Sequence, residues 1–225
     1  MKSRLFETAL KMQSKNPYSK PLQYYERYDI FLNNNNLFPQ TILEIGTYEG
    51  DSAKIISKAF ERSTILALDL DIKNIDFKEY NNIIYKKADQ TKKDQLIPLI
   101  NEYFPKGIDL VIDDASHIGC YSKLTFDIVF PFLKPGGAYF IEDWGTGYWD
   151  SWVDGSSQLN NLQLKNRNDN FKKQLPSHDF GMVGFVKSLI DLVSQDQTMF
   201  EKNSAAIEHI EFWTGACMLI KSKNA

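Results

Sequence analysis

Two short acidic motifs carry the clearest chemistry in the sequence. Asp-Asp-Ala-Ser-His runs from Asp113 to His117 after one apolar run, and Glu-Asp-Trp runs from Glu142 to Trp144 after the next. Apolar runs of this length predict strands, and the carboxyl ends of parallel strands meet at one edge of a sheet. Carboxylates that converge with no lysine or arginine adjacent in the sequence need a compensating cation. Oxygen ligands favour Mg²⁺, Mn²⁺ or Ca²⁺ over zinc, so the motifs predict a divalent metal site.

His117 lies three residues beyond Asp114, which is close enough to serve the same site. We expect it to act as a base rather than as a metal ligand, because imidazole exchanges protons near neutral pH. The alternative is structural: Asp113 and Asp114 cap a helix, and His117 is an ordinary surface or core histidine. The converging acids favour the catalytic interpretation.

The elements that must position these acids alternate between strands and helices. Thr41–Ile45 is a short apolar run that ends at a glycine, and Asp51 and Ser52 then offer N-caps for a helix. Four further apolar runs have the length of strands: Thr64–Leu68, Ile83–Tyr85, Leu110–Ile112 and Ala138–Ile141. Helical or loop material separates these runs, which is typical of parallel β-α-β units.

The C-terminal part of the pattern closes the predicted sheet. Helices are predicted around Tyr121–Phe132 and Gly184–Val193, and Lys134–Gly137 indicates a turn before the fifth strand. Ile207–Trp213 and Ala216–Lys221 are predicted strands joined by a tight turn, which makes them an antiparallel hairpin. The sequence therefore predicts an α/β, Rossmann-like fold whose mostly parallel seven-stranded sheet ends in a C-terminal antiparallel hairpin.

The chain has the size and composition of one globular domain. It has 225 residues, of which 43% are hydrophobic and 24% are charged. We expect a single domain over 1–225, in which 1–40 form an N-terminal helical cap. The polar segment 151–176 lacks helical or strand periodicity, and both a lid and a variable loop remain open for it.

Charge and cysteine content restrict the partners and the compartment. The formal net charge of −3 gives no electrostatic reason to expect nucleic acid or a membrane as a partner. Two cysteines, Cys120 and Cys217, are too few for a disulfide framework and suit a reducing compartment. No signal peptide and no apolar stretch of about 18 residues is apparent. We expect a soluble, cytoplasmic protein.

The segment Glu44–Gly50 indicates a cofactor at the end of the first strand. A glycine where a strand turns into a helix lets backbone approach a ligand, but this loop lacks the G-x-G-x-x-G spacing of dinucleotide sites. The acidic Glu44 disfavours a phosphate and favours an amine or a positive charge, which fits S-adenosylmethionine. Asp69, with Asp71 as a rival, follows the second strand, where a carboxylate accepts hydrogen bonds from ribose.

Asp89 and Gln90 follow the third strand, within reach of an adenine edge, although Asp89 is also a plausible turn residue. The candidate cofactor-binding residues are Glu44, Gly46, Tyr48, Ser52, Asp69, Asp89, Gln90 and Asp113.

These motifs follow one another along the chain in the order found in a known class of enzymes. The runs Ile42–Ser52, Leu68–Asp69, Ala88–Gln90, Asp109–His117 and Leu133–Trp144 resemble class I S-adenosylmethionine-dependent methyltransferases. Asp-Asp-Ala-Ser-His with a later Ile-Glu-Asp resembles the metal-dependent O-methyltransferases that act on macrolide sugars such as those of mycinamicin. The resemblance covers roughly Tyr24 to Lys221. It implies that Asp114, Glu142 and Asp143 hold Mg²⁺ or Mn²⁺, that His117 is the general base, and that S-adenosylmethionine is the methyl donor.

The implied acceptor is a small molecule with vicinal hydroxyls, such as a sugar in natural-product biosynthesis, and a homo-oligomer stays open. A catechol-type or other small-molecule O-methyltransferase is the nearest alternative, since fold does not settle substrate. An iron oxygenase would need two histidines and a carboxylate, and neither His178 nor His209 has suitable spacing. A non-catalytic nucleotide-binding protein is the other rival, and the three acids with His117 argue against it.

Overall fold

The chain forms a seven-stranded sheet with helices on both faces. The computed structural model describes residues 3–12, 19–156, 180–194 and 206–223. The helices are α1 (Leu5–Lys11), α2 (Leu22–Asn34), α3 (Asp51–Ala59), α4 (Lys93–Tyr103), α5 (Gly119–Val129) and α6 (Gly181–Ser194). The strands are β1 (Thr41–Ile45), β2 (Thr64–Asp69), β3 (Ile83–Lys87), β4 (Ile108–Asp113), β5 (Leu133–Glu142), β6 (Ile207–Phe212) and β7 (Ala216–Lys221).

The strand order is β3-β2-β1-β4-β5-β7-β6. Strands β1 to β5 pair in parallel, whereas β7 is antiparallel to both β5 and β6. The order reverses between β1 and β4, which pair from Ile42 with Leu110 to Ile45 with Asp113. Such a reversal opens a crevice beyond the carboxyl ends of the two strands, where α/β sheets bind ligands.

Apolar residues on the two faces of the central strands form two cores. One face, which includes Leu43 and Val111, packs against α4, α5 and α6. The other face, which includes Ile42 and Leu110, packs against α1, α2 and α3. Burial on both faces explains why β1, β2 and β4 are nearly continuous apolar runs in the sequence.

The predicted fold class is confirmed, including the parallel strands and the C-terminal antiparallel hairpin. One local prediction was wrong: Lys134–Gly137 is not a turn before the fifth strand, because β5 already begins at Leu133. The register between β4 and β5 shifts there, and Gly136 takes a φ of 77° that suits glycine. The Pro-Gly-Gly sequence therefore marks an irregularity inside a strand.

Segment 1–40 contains α1 and α2, which pack against each other and against the sheet. The predicted lid or variable loop at 151–176 falls outside the described residues, except for 151–156. No helix within the described ranges combines the length and the apolar character needed to cross a bilayer.

Candidate active site

A cavity of about 690 Å³ opens at the carboxyl ends of the central strands. Its lining draws on the loops after β1, β2, β3 and β4, so it occupies the crevice at the reversal of strand order. Six of the predicted site residues line it: Gly46, Tyr48, Asp69, Asp89, Gln90 and Asp114. This volume is in the usual range for a small-molecule or cofactor site.

Gly46 lets the ends of β1 and β4 come close together. Its φ is 93°, and a Cβ atom added there would lie only 2.1 Å from the carbonyl oxygen of Asp114. The backbone N–H of Asp114 donates to the carbonyl oxygen of Ile45 at 2.9 Å, which fastens the two strand ends to each other. Any larger residue at position 46 would push the Asp114 loop away and widen this floor of the cavity.

Three residues with side chains hold left-handed backbone around this crevice. The φ angles are 49° at Tyr48, 50° at His117 and 51° at Asp143. This conformation is uncommon outside glycine and is strained for a residue such as tyrosine, so surrounding structure must maintain it. All three follow the carboxyl end of a strand, and such strained positions concentrate at functional sites.

Asp69 presents a fixed carboxylate to the cavity. The backbone N–H of Tyr48 donates to Asp69 Oδ2 at 2.7 Å, and that of Asp71 donates to Asp69 Oδ1 at 3.0 Å. Both bonds orient the carboxylate and leave lone pairs free for a ligand. Asp69 lines the cavity, whereas its rival Asp71 is not among the described residues that do.

Asp89 and Gln90 have different surroundings at the end of β3. Asp89 Oδ1 accepts hydrogen bonds from the backbone and hydroxyl of Thr91, at 2.8 and 2.7 Å, and these bonds lower the pKa of Asp89. Asp89 is thus a turn residue that also lines the cavity. Gln90 is buried, donates to Thr125 and accepts from the backbone of Ser116 at 3.1 Å. Its amide is already engaged in positioning the Asp113–His117 loop.

The other predicted cofactor residues, Glu44, Ser52 and Asp113, lie behind the cavity rather than on its lining. Burial raises the pKa of Glu44 to about 7, although nearby Lys20 opposes the shift. Burial, with the adjacent Asp114 carboxylate, raises the pKa of Asp113 to about 8. Both side chains are therefore kept largely protonated well above the pH at which an exposed carboxyl ionises.

The two acidic motifs do converge, and His117 joins them. His117 Nε2 lies 3.6 Å from Asp114 Oδ1 and 3.7 Å from Asp143 Oδ2. One ligand atom from each of these three residues lies within 4.8 Å of the other two, so the geometry groups His117, which the sequence predicted as a base, with Asp114 and Asp143 as potential metal ligands. Among the described residues this group does not include Glu142, the third predicted ligand. The Asp114 and Asp143 side chains are 22% and 37% exposed, and of the two only Asp114 lines the cavity.

His117 is held by its backbone rather than by its ring. Trp152 Nε1 donates to the His117 carbonyl oxygen at 2.9 Å, and Thr146 Oγ1 donates to the same oxygen at 3.3 Å. The ring is 15% exposed, and its Nε2 atom faces the carboxylates. This arrangement leaves the imidazole available to accept a proton from a group bound beside Asp114 and Asp143.

Lys20 and Tyr24, which the sequence motifs did not indicate, complete the acidic cluster from the N-terminal side. Lys20 Nζ lies 3.2 Å from Asp114 Oδ2 and also contacts Glu142 Oε1, while the Tyr24 hydroxyl donates to Asp143 Oδ1. Burial alone would lower the pKa of Lys20, but Asp114 and Glu142 outweigh it and raise the pKa well above its ordinary value. These carboxylates therefore favour the protonated, ammonium form of Lys20.

Glu142 is the most enclosed member of the cluster, with a side chain that is 2% exposed. Burial and the Asp114 carboxylate raise its pKa well above the ordinary value, although the Lys20 ammonium opposes that shift. When Asp114, Glu142 and Asp143 are ionised, their converging negative charges favour a divalent cation. The oxygen-rich donor set fits Mg²⁺ or Mn²⁺.

A second cavity of about 550 Å³ opens between α1, α3 and the loops that precede β1 and β2. It contains none of the predicted site residues and lies at the opposite edge of the sheet from the acids. The chemistry therefore belongs to the crevice at the strand carboxyl ends.

Comparison of the sequence with known proteins finds relatives of one kind, although no family model matches it. The chain is 32% identical over 163 residues to demethylmacrocin O-methyltransferase of Streptomyces fradiae, which covers 69% of this chain and 36% of that protein. It is 34% identical over 116 residues to mycinamicin VI 2''-O-methyltransferase of Micromonospora griseorubida, a match that covers 48% of this chain and 28% of that protein. The matched segments thus span about a third of the length of these relatives. The predicted resemblance to macrolide sugar O-methyltransferases is confirmed.

Solved structures share the fold of this chain. The MycE methyltransferase from the mycinamycin pathway, in complex with Mg, SAH and mycinamycin VI, has a TM-score of 0.70 at 24% identity. That match covers 99% of this chain and 55% of MycE. A putative caffeoyl-CoA O-methyltransferase from Staphylococcus aureus has a TM-score of 0.53 at 16% identity, covering 96% and 92%. The class I methyltransferase fold predicted from the sequence is confirmed.

Proposed function

We propose that this chain transfers a methyl group from S-adenosylmethionine to a sugar hydroxyl of a glycosylated small molecule, with a divalent cation and His117 as the general base. The observation that carries the proposal is the position of His117 Nε2, 3.6 and 3.7 Å from two carboxylates beside the cavity. The confirmed fold and the O-methyltransferase relatives support the reaction class.

The cavity at the ends of β1 to β3 supports the cofactor assignment. S-adenosylmethionine, when bound, supplies a methyl carbon activated by a sulfonium. Asp69, oriented by the backbone of Tyr48 and Asp71, is suited to accept hydrogen bonds from ribose hydroxyls. Gly46 and Asp89 line the same cavity, and we assign Glu44, Ser52 and Asp113 to its second layer. A loop with one glycine and a bulky Tyr48 is unsuited to wrapping a pyrophosphate.

We assign the metal to Asp114, Glu142 and Asp143. These residues would hold the cation, which would supply Lewis acidity for an acceptor hydroxyl that is otherwise too weakly acidic to act as a nucleophile. The exposed oxygens of Asp114 and Asp143 face His117, so the acceptor hydroxyl and the base come together at one point. His117 then takes the hydroxyl proton, and the cavity aligns the acceptor oxygen with the methyl carbon.

A sugar is the favoured acceptor. Vicinal hydroxyls suit chelation, and demethylmacrocin and mycinamicin VI, which appear in the relatives' names, are glycosylated macrolides. The Trp149 ring, in the segment after the second acidic motif, is 54% exposed and offers a face for a sugar or an aglycone. Trp144 and Trp152 are less available, because their indole N–H groups bond to the carbonyl oxygens of Trp213 and His117.

Other expectations remain proposals of the same kind. We infer a cytoplasmic enzyme from the free thiols of Cys120 and Cys217, with a small-molecule acceptor and no nucleic-acid partner. A single domain over 1–225 stays a prediction, and so do the two alternatives for 151–176, a lid or a variable loop. Assembly as a homo-oligomer stays open.

A transfer assay tests the proposal. The protein is incubated with methyl-labelled S-adenosylmethionine, Mg²⁺ and macrolide glycosides that carry a free vicinal diol on the sugar, and products are read by mass spectrometry. We expect one methyl group on the sugar. Transfer to catechols but to no glycoside would establish the catechol-type alternative, and cofactor binding without transfer to any diol would indicate a non-catalytic binding protein.

A further inference from the structure

Lys20 places a buried ammonium inside the acidic cluster. Its Nζ atom lies 3.2 Å from Asp114 Oδ2 and also contacts Glu142 Oε1. The side chains of Lys20 and Glu142 are only 6% and 2% exposed, so water does not separate them from each other. A cation therefore already stands between two of the three carboxylates that the proposed function assigns to the metal.

This contact is hard to reconcile with a metal on the same carboxylates. A divalent cation that used Glu142 would lie close to the Lys20 ammonium, in a region where burial strengthens repulsion between like charges. Glu142 has almost no exposed surface through which it could reach a second cation elsewhere. We propose that Lys20 is the resident cation of this site in the metal-free protein, and that a divalent cation binds Glu142 only after displacing the ammonium. This inference rests on the proposed function.

Lys20 is placed so that it can leave without disturbing the sheet. It precedes Pro21 and α2, so it belongs to none of the strands that carry the acids. Its ammonium is compact and sits on a flexible four-carbon stem, beside the rings of Tyr24 and Tyr28 at 6.0 and 5.7 Å. While it stays, it offsets the mutual repulsion of Asp114 and Glu142 and holds the two carboxylates together.

If the Lys20 ammonium competes with Mg²⁺ for the same carboxylates, a variant that lacks the ammonium should bind Mg²⁺ more tightly. If the ammonium fills the site in nine-tenths of metal-free molecules, its removal tightens apparent metal affinity by about tenfold. Calorimetric titration with Mg²⁺ should therefore give tighter binding to Lys20→Met than to the natural chain. Lys123→Met is the matched control, because Lys123 lies on the surface of α5 and pairs with Asp127. Equal or weaker Mg²⁺ binding in a folded Lys20→Met variant would overturn the inference.

A lysine-labelling experiment on the unaltered protein avoids any dependence on the variant's folding. The protein is acetylated briefly with and without saturating Mg²⁺, in an amine-free buffer, and each lysine is quantified by mass spectrometry. We expect Lys20 to be protected without Mg²⁺ and to react several-fold faster with it, while the exposed Lys123 reacts equally in both samples.

Mg²⁺ binding is measured calorimetrically on the same protein. If Mg²⁺ binds while Lys20 stays protected, the two cations coexist, and the inference fails although the proposed function stands. If neither the natural chain nor Lys20→Met binds Mg²⁺, the metal assignment of the proposed function fails, and the inference falls with it.

Discussion

The two halves of the crevice are built in different ways. The cofactor half, which we define as Gly46, Tyr48, Asp69 and Asp89, is held by backbone hydrogen bonds from nearby loops, such as the bond from Tyr48 to Asp69. We define the acid half as Asp114, His117, Glu142 and Asp143. Residues distant in the sequence contact it: Lys20 and Tyr24 bind its carboxylates, and Trp152 donates to the carbonyl oxygen of His117.

The halves also differ in their electrostatics. In the acid half, a buried ammonium offsets buried carboxylates, and the pKa of Glu142 is raised by burial and by its acidic neighbour. In the cofactor half, the pKa of Asp89 is lowered by hydrogen bonds from Thr91. We therefore propose that the cofactor half binds a ligand through its fixed geometry, whereas the acid half supplies the charges needed for catalysis.

Removal of divalent cations should have the largest effect, and it should impair the acid half without impairing the cofactor half. EDTA is expected to abolish methyl transfer and Mg²⁺ or Mn²⁺ to restore it, because the acceptor hydroxyl is too weakly acidic without a metal. Cofactor affinity should change little, since the cofactor half holds its own geometry. Activity assays and titrations with S-adenosylhomocysteine, each with and without chelator, make the comparison. Full turnover in EDTA would mean that the acids serve structure or bind the acceptor directly.

Substitution of His117 tests the acid half alone. His117→Ala should lower kcat by about 10²–10⁴-fold, the usual contribution of a general base, with cofactor affinity retained. His117→Asn is a useful second variant, because asparagine tolerates the φ of 50° at this position. Near-normal turnover with an unchanged pH profile would move the base to a carboxylate, with Asp113 the next candidate.

Substitution of Asp69 tests the cofactor half alone. Asp69→Ala should weaken cofactor binding by about 1–3 kcal/mol, because the ligand's hydroxyls lose a charged acceptor. Metal affinity should be unaffected. Asp71→Ala is the matched control, since Asp71 carries the same charge two residues away and keeps its backbone bond to Asp69. A larger loss of cofactor affinity in Asp71→Ala than in Asp69→Ala would reverse the assignment.

Glu44 is a buried residue of β1, and it should affect the pH dependence of stability. Its pKa is about 7 in the folded protein, against an ordinary value of 4.5. Between these values the folded chain keeps a proton that the unfolded chain releases, so the free energy of unfolding falls as pH rises through this window.

Glu44→Gln removes this dependence, and the slope should become shallower by at most about 1.4 kcal/mol per pH unit. Urea unfolding at several pH values between 4 and 8 measures it, with Glu102→Gln on the exposed surface of α4 as the control. Identical slopes for natural and Glu44→Gln proteins would show that Glu44 ionises normally.

Sequence reasoning succeeded where neighbours in the chain determine the structure. Thr41–Ile45 has the predicted bounds of β1, and the hairpin of β6 and β7 follows from two apolar runs around Thr214-Gly215. Parallel strands end at one edge of the sheet whatever the details of the loops, so the convergence of Asp114 and Asp143 was predictable too.

The same reasoning missed residues that are distant in the sequence and reach the site only through the fold. Lys20 lies 122 residues before Glu142, and no local pattern connects the two. The motifs indicated acids with no cationic neighbour, whereas the fold brings one to them. Tyr24 and Tyr28 of α2 pack in the core, but the start of this helix also carries Lys20 and Tyr24 to the site.

Calorimetric titration of the purified protein with S-adenosylhomocysteine and, separately, with NAD is the most direct test of the central claim that this crevice is a methyltransferase site. The single glycine of the β1 loop, its bulky Tyr48 and the carboxylate of Asp69 predict saturable, micromolar binding of S-adenosylhomocysteine that Asp69→Ala weakens, and no binding of NAD. Micromolar binding of NAD with no response to S-adenosylhomocysteine would contradict the account.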